Sequence, residues 1–328
     1  MEQPRATILG LDIGGTKIAC LEGTQAGEIL QRTELATIAT RPFDETLPAI
    51  ALQLRRQIGV AEAANRRPVA LSVSVGGPLR IGEGVLIDPP HLPGWHGVRL
   101  KERLGASLSG IPVCVEHDGN AGALAEFHFG AGRARRAVRH LVFLTFGTGL
   151  GAGFIVNGRI LHGASDTAGE IGHWRLSQSG PEGFGKQGSW EGFSSGAGLV
   201  KLAAMKFPHR WKAETPIRTL VEAMLADDPE ALAVAAEAGR RLGQGLALLI
   251  DALNPQVIAL GSLAVVLGER VLGPARQVVA QEALPQAAAA CEIVPAALGK
   301  NIGDVAALMA ALGDRRIAKL LENRHGDD

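Results

Sequence analysis

Two short segments govern what this chain can fold into. Residues 7–21 and 140–156 each consist of an apolar run, a glycine-rich turn and a second apolar run, the pattern of two antiparallel strands joined tightly. The turns lie 133 positions apart, from Gly14 to Gly147, so the pattern predicts two related halves, each with a glycine hairpin at the edge of its own sheet. The second hairpin continues through Asn157-Gly158, a type I′ turn signal, into Arg159-Ile160-Leu161. At 328 residues the chain has room for two cores, given domains of about 150 residues.

Between the hairpins, residues 44–67 read as helix despite Pro48, and 69–75 read as a buried strand ending at Gly76-Gly77-Pro78. A helix over 99–108 leads into a strand at 113–115. Residues 163–198 are glycine-dense and irregular, but their aromatic and acidic content sets them apart from a linker. A long helix is expected over 230–253, started by Asp228-Pro229-Glu230 and stopped by Asn254-Pro255, with Leu242, Leu246, Leu249 and Leu253 on its apolar face. A strand at 257–260 meets Gly261-Ser262, and helices are expected within 263–284 and 304–321, the last returning to the first half. Alternating strands and helices predict an α/β class.

The 43 glycines follow no collagen period, and 33 basic residues balance 33 acidic ones, which disfavours a broad nucleic-acid surface. No apolar run has the length of a membrane span and the first residues carry no secretory pattern, so a cytoplasmic protein without membrane or nucleic-acid partners is expected. Cys20, Cys114 and Cys291 are too scattered for a local metal or redox motif.

Glycine turns bring several backbone N–H groups to one phosphate without a Cβ in the way. Gly14, Gly15 and Thr16 form one candidate cradle, and Gly147, Thr148 and Gly149 the other; permissive hairpins without a ligand remain the plainer alternative. Asp12, at a strand end, would hold Mg²⁺ directly or through water. Lys17 fits a phosphate ligand and a surface lysine equally well. No GxxxxGK[ST] loop is present, and the turn from Gly147 to Gly151 lacks GxGxxG spacing and opens a strand-like segment where a helix would be required. Asp118 sits where a strand passes into a helix, as a helix cap or as a carboxylate able to take a hydroxyl proton during phosphoryl transfer. Glu170 and His173, with Trp174, Trp190 and Glu191, suit recognition of a polyol, although each aromatic alone fits a core. Ser194 matches GxSxG formally, but no strand precedes it, and helix initiation is the expected role.

At these residues the chain resembles the ROK family of bacterial sugar kinases and repressors. The carriers are Asp12-Ile13-Gly14-Gly15-Thr16-Lys17, the run from Thr145 to Gly153, Glu116-His117-Asp118-Gly119-Asn120-Ala121 and Ala168-Gly169-Glu170-Ile171-Gly172-His173. The resemblance implies a two-domain actin-like ATPase (ribonuclease H-like) fold with an interdomain active-site cleft, the smaller domain being 1–117 plus approximately 304–328 and the larger 118–303. It further implies ATP and Mg²⁺, Asp118 as catalytic base, Glu170, His173 and Glu191 on sugar hydroxyls, Gly261 in a nucleotide-side turn, and a homodimer. The expected reaction is phosphorylation of a hexose, first glucose at its 6-hydroxyl, with N-acetylmannosamine, N-acetylglucosamine or fructose as alternatives and a non-catalytic sugar-sensing regulator as another.

Departures stand out at four places. His117 and His91 occupy positions where the family commonly has Asn, which alters the groups offered to the sugar. The family's zinc-binding cysteines are missing from residues 182–189, so no structural zinc is expected and packing by Phe184 is expected to replace it. Ser262 replaces a common second glycine. With eleven residues before Asp12, no DNA-binding domain of the repressor kind is expected.

Overall fold

The computed structural model describes residues 4–322. The chain opens with β1 (Arg5–Ile13), β2 (Lys17–Gly23), β3 (Ile29–Ala36), α1 (Phe43–Ala63) and β4 (Arg66–Val75). A small hairpin, β5 (Leu79–Arg80) and β6 (Val85–Leu86), precedes α2 (Leu100–Ser107), β7 (Val113–His117) and α3 (Asp118–Phe129). The second sheet begins with β8 (Leu141–Leu144), β9 (Ala152–Val156) and β10 (Arg159–Ile160). There follow a hairpin of β11 (Glu182–Gly183) and β12 (Lys186–Gln187), then α4 (Trp190–Phe193), α5 (Gly196–Lys206), α6 (Ile217–Leu225) and α7 (Pro229–Leu253). The remainder is β13 (Val257–Leu260), α8 (Leu263–Leu267), α9 (Glu269–Glu282), α10 (Pro285–Ala290), β14 (Glu292–Pro295), α11 (Ile302–Ala306), α12 (Met309–Leu312) and α13 (Arg315–Glu322).

The two five-stranded sheets have orders β3-β2-β1-β4-β7 and β10-β9-β8-β13-β14. In each, the first three strands run antiparallel and the next two add parallel to the first. The halves therefore repeat one topology, the α/β architecture of the actin-like fold. The glycine turns do not lie at the sheet edges as expected: each joins the central strand to its antiparallel neighbour, because a third strand covers the outer side. At the second hairpin, Asn157 and Gly158 both take positive φ (52° and 75°), as a type I′ turn requires.

The chain divides into two compact units. Among the described residues, unit 1 holds 4–125, 162–167 and 301–322, and unit 2 holds 126–161 and 168–300. The first division thus falls inside α3, after Ala125, where the sequence had suggested the start of that helix. The crossing of 162–167 into unit 1 was not expected. It is held there by His162, whose Nε2 lies 2.9 Å from Glu116 Oε2, and by Asp166, whose carboxylate accepts from Ile81 N at 2.9 Å.

Unit 1 has a core of Leu9, Leu11, Ile18, Ile50, Leu54, Leu71, Val73 and Trp95. The C-terminal helices press on its sheet: a Cβ on Gly23 would stand 2.5 Å from Leu308 Cδ1, and Ala311 N donates to Ser72 Oγ at 3.2 Å. Glycine inside this strand is thus what admits the returning chain. The expected 304–321 helix is broken into α11, α12 and α13.

Unit 2 is organised by α7. Asp228 caps it, accepting from Ala231 N at 3.0 Å, Pro229 sits at its first turn, and Asn254 closes it in the left-handed region. Leu242, Leu246 and Leu249 are buried as expected, while Leu253 is only partly covered. Each full burial of such a side chain contributes about 1.5–3 kcal/mol. On the same helix Gly239 and Gly243 let the α9 backbone approach, since a Cβ at either would lie 2.5 Å or less from a carbonyl oxygen of Val271 or Ala275. Among the described residues, no helix is long and apolar enough to cross a membrane.

Candidate functional site

The expected site residues fall into two groups, one in each unit. In unit 1, β1 delivers Asp12 to the end of the central strand and β7 delivers Asp118 to the first residue of α3. The Asp12 carboxyl is pushed up to about 7, first by burial, then by the charge of Asp118 and further by that of Asp304, against a hydrogen bond with Ser74 and the charge of Lys17. Carboxylates from three elements therefore concentrate negative potential beside the first glycine turn. Asp304, on α11, carried no sequence signal; only the return of the chain end brings it close. A Cβ on Gly303 would stand 3.1 Å from Asp12 Oδ2, so that glycine gives the carboxylate its space.

Among the described residues, no group of three or more His, Cys, Asp or Glu side chains is arranged to hold a metal ion on protein ligands. The donor set fits Mg²⁺, which keeps several waters and typically takes one or two carboxylates plus substrate phosphate oxygens. Asp12 is the carboxylate whose charged form such an ion would relieve.

The turn after Asp12 is closed by Gly14 N donating to Lys17 O at 3.0 Å, and Thr37 N donates to Thr16 O at 3.0 Å. Gly15 has a specific reason to be glycine: a Cβ there would lie 2.9 Å from the carbonyl oxygen of His91. The loop carrying His91 thus rests its backbone on the turn, with the His91 side of the loop exposed. Lys17 does not turn its ammonium group to the cradle. Its Nζ donates to Glu34 Oε1 at 2.8 Å on an exposed strand face, the surface alternative of the two expected for it.

At the base of α3, Gly119 N donates to Asp118 Oδ1 at 2.7 Å and lies 3.2 Å from His117 Nδ1, which accepts. His117 Nδ1 is in turn 3.3 Å from Asp118 Oδ1. The imidazole offers two ring nitrogens at this position, whereas an Asn amide would offer a carbonyl acceptor and an NH₂ group with two donors. The Asp118 side chain remains 51% exposed, so the carboxylate is anchored through one oxygen and still accessible. Behind it, buried Glu116 accepts from His117 N at 3.0 Å and Asn120 Nδ2 at 2.9 Å, and pairs with His162. That pairing raises the His162 pKa above the ordinary imidazole value, the Glu116 hydrogen bond being the largest cause.

In unit 2 the second turn is tightly braced. Gly147 O and Thr148 O accept from Gly196 N and Ala197 N at 2.7 and 3.4 Å, and Thr145 Oγ1 accepts from Gly151 N at 3.1 Å. Leu150 N donates to Glu191 Oε2 at 2.9 Å. Gly261 N donates to Leu144 O at 2.9 Å, and a Cβ on Gly261 would press on the Phe143 ring at 3.0 Å. Ser262, where the family commonly has glycine, sits at φ 48° and ψ −109°, a conformation that favours glycine.

The Glu170–His173 segment forms a single 3₁₀ turn (Ile171–His173) with His173 N donating to Glu170 O at 3.3 Å. The His173 ring stacks on Phe184, centroids 3.7 Å apart and planes 22° from parallel. Phe184 thus packs within this segment, as expected of it. Phe184 holds φ 54° at the tip of the β11–β12 hairpin. Trp190 is fully buried, and the half-buried Trp174 stacks on it at 5.6 Å and packs on the same core, the core alternative expected of each. Ser194 is likewise buried at the end of α4, and Ser195 caps α5 by accepting from Gly198 N at 2.9 Å; no nucleophile elbow exists.

Comparison with known proteins gives a consistent result. A model of the ROK family matches residues 8–313. A glucokinase of Halalkalibacterium halodurans is 29% identical over 307 residues, covering 90% of this chain and 92% of the relative. The crystal structure of a ROK family glucokinase from Streptomyces griseus, in complex with glucose and AMPPNP, superposes with a TM-score of 0.74 at 29% identity, covering 92% of this chain and 98% of that one. A xylose repressor of Bacillus spizizenii is 27% identical over 234 residues, 71% of this chain and 58% of the repressor.

Proposed function

The chain belongs to the ROK family, and from that premise we propose that it is an ATP-dependent sugar kinase acting on a hexose hydroxyl, first the 6-hydroxyl of glucose. The observation that carries this reading is Asp118: an accessible carboxylate, fixed at a strand–helix junction by Gly119 N, in the same unit as the crowded carboxylate of Asp12. The glucokinase relatives, one of them solved with glucose and an ATP analogue, support it.

In this mechanism Asp118 accepts the sugar hydroxyl proton while the hydroxyl oxygen bonds to the γ-phosphorus and the bond to the β-phosphate oxygen breaks, releasing ADP. Gly15 and Thr16, with Thr148 and Gly149, offer backbone and hydroxyl donors to the phosphates, while Gly14 and Gly147 close the two turns through their own amides and present no Cβ. When bound, Mg²⁺ supplies charge neutralisation on those phosphates. Asp12 would hold it. Glu170, His173 and Glu191 orient the ring through its hydroxyls, with His91 and His117 supplying imidazoles where relatives commonly offer amides.

The test is ATP-dependent turnover across glucose, fructose, N-acetylglucosamine and N-acetylmannosamine, with the phosphorylated position identified by NMR. The expected result is the highest kcat/KM for glucose with a 6-phosphate product. A higher value for an N-acetylated hexosamine or fructose replaces the sugar but keeps the reaction; sugar binding with no product anywhere on the panel replaces the kinase with a sensor.

A further inference from the structure

The Glu191 carboxylate makes a contact beyond the role expected of it. It was expected on the sugar, yet one of its oxygens, Oε2, accepts from Leu150 N at 2.9 Å, and the same oxygen would lie 2.8 Å from a Cβ on Gly149. Glu191 therefore fills the space beside the second glycine turn and holds its last amide. A second contact ties the same pieces together: a Cβ on Gly172 would meet Leu150 O at 2.4 Å, the Phe184 ring at 2.9 Å and Glu191 Cβ at 3.3 Å. The turn, the 3₁₀ turn between Glu170 and His173 and the start of α4 are thus packed on one glycine, all within unit 2.

We propose that Glu191 is a positioning residue for the nucleotide as well as a sugar ligand: its carboxylate fixes the 147–150 turn in the form that receives phosphate. The inference rests on the kinase reading, since it takes that turn to be a phosphate cradle. The physical basis is preorganisation. A turn whose terminal amide is held before the ligand arrives loses less conformational freedom on binding. Because a sugar hydroxyl on the same carboxylate restricts the same side-chain torsions, occupancy of the sugar site stiffens the turn further. Sugar and nucleotide affinities are then positively coupled, and each raises the other by the same factor.

The experiment is titration with Mg²⁺ and AMPPNP, with and without glucose, on the full chain and its Glu191→Ala, Glu191→Gln and Gly149→Ala variants, with thermal unfolding monitored alongside. Without sugar, Glu191→Ala is expected to weaken AMPPNP binding about tenfold, the value of one hydrogen bond to a charged acceptor. Glu191→Gln keeps an oxygen for Leu150 N and is expected to stay within about threefold of the parent. Gly149→Ala is expected to lose a similar factor in the parent but little more in the Glu191→Ala background, where the carboxylate it would strike is gone. Unchanged AMPPNP affinity in Glu191→Ala, or an equal Gly149→Ala loss in both backgrounds, overturns the proposal. Should Glu191→Ala fail to fold, the Gly149→Ala and Glu191→Gln comparison decides it: equal losses in those two overturn it. A parent chain that binds no AMPPNP under any condition overturns the kinase reading itself, a result distinct from the others.

Discussion

The two glycine turns leave equivalent strands of equivalent sheets, yet they are held in opposite ways. In unit 1 the turn is closed by a few backbone bonds and surrounded by charge: Asp12, Asp118 and Asp304 crowd its approach, and Lys17 is drawn off by Glu34. In unit 2 the turn is locked by geometry, through the α5 amides on Gly147 and Thr148, the Thr145 hydroxyl and the Glu191 carboxylate. One topology thus carries two different sets of contacts. The first copy gathers carboxylates that suit proton transfer and a cation; the second fixes a shape that suits a phosphate chain. A copy that must hold repelling charges close gains from backbone closure and from the nearby chain end, whereas a copy that must present amides gains from rigid bracing.

The sharpest way to break the comparison is Asp118→Asn. If unit 1 holds the reacting charge, this change lowers kcat by about 10³-fold, with folding intact by circular dichroism and sugar KM shifted far less; a change of kcat below about tenfold would move the chemistry elsewhere. Next in size is a pair of glycine replacements. At Gly198 a Cβ would stand 2.3 and 2.4 Å from the carbonyl oxygens of Gly192 and Glu191, backbone that cannot swing aside. Gly198→Ala should therefore destabilise unit 2 by about 3 kcal/mol, read as a lower denaturant midpoint. At exposed Gly59 on α1 nothing lies within 4 Å, and Gly59→Ala should stabilise by about 0.5–1 kcal/mol. The opposite signs report packed bracing against an open helix face.

Ser262→Gly should stabilise unit 2 by about 1 kcal/mol by removing the Cβ from a positive-φ position; no gain would mean that the hydroxyl, 3.4 Å from where a Gly147 Cβ would sit, has a compensating role. The smallest effect concerns pH. Pairing with Glu116 raises the folded-state pKa of His162 above its ordinary value, so the stability it contributes is complete below that ordinary value and is lost as pH rises through the raised one. Exchange of the Ile81 amide, which reports the docking of 162–167 through Asp166, should accelerate above the intrinsic rate on going from about pH 6 to about pH 9. His162→Phe should abolish that extra dependence.

Much of this was legible in the chain itself because the signals were local. The two hairpins follow from glycines between apolar runs, and α7 from a proline start and an asparagine stop. The strand at 257–260 follows from its apolar run, and the packing of Phe184 from an aromatic residue in a segment that lacks the family's three cysteines. What the sequence hid depends on contacts between distant positions. Residues 162–167 join unit 1 because Glu116 and Ile81 meet them there, and no local pattern marks such a crossing. Asp304 reaches Asp12 only because the last helices fold back, and Gly15 meets the His91 carbonyl across 76 residues of chain. Glu191 was read for its hydroxyl-binding chemistry alone, since nothing in its neighbours announces Leu150.

The central claim, that Asp118 of the acidic copy takes a sugar hydroxyl proton as phosphate is transferred from ATP, is tested most directly by ³¹P NMR of the chain mixed with Mg²⁺, ATP and glucose. The account predicts a sugar phosphoester resonance growing in one-to-one proportion with ADP, dependent on glucose and abolished by Asp118→Asn. Saturable binding of both ligands with no phosphoester, or ADP formation that proceeds equally without sugar, would contradict it.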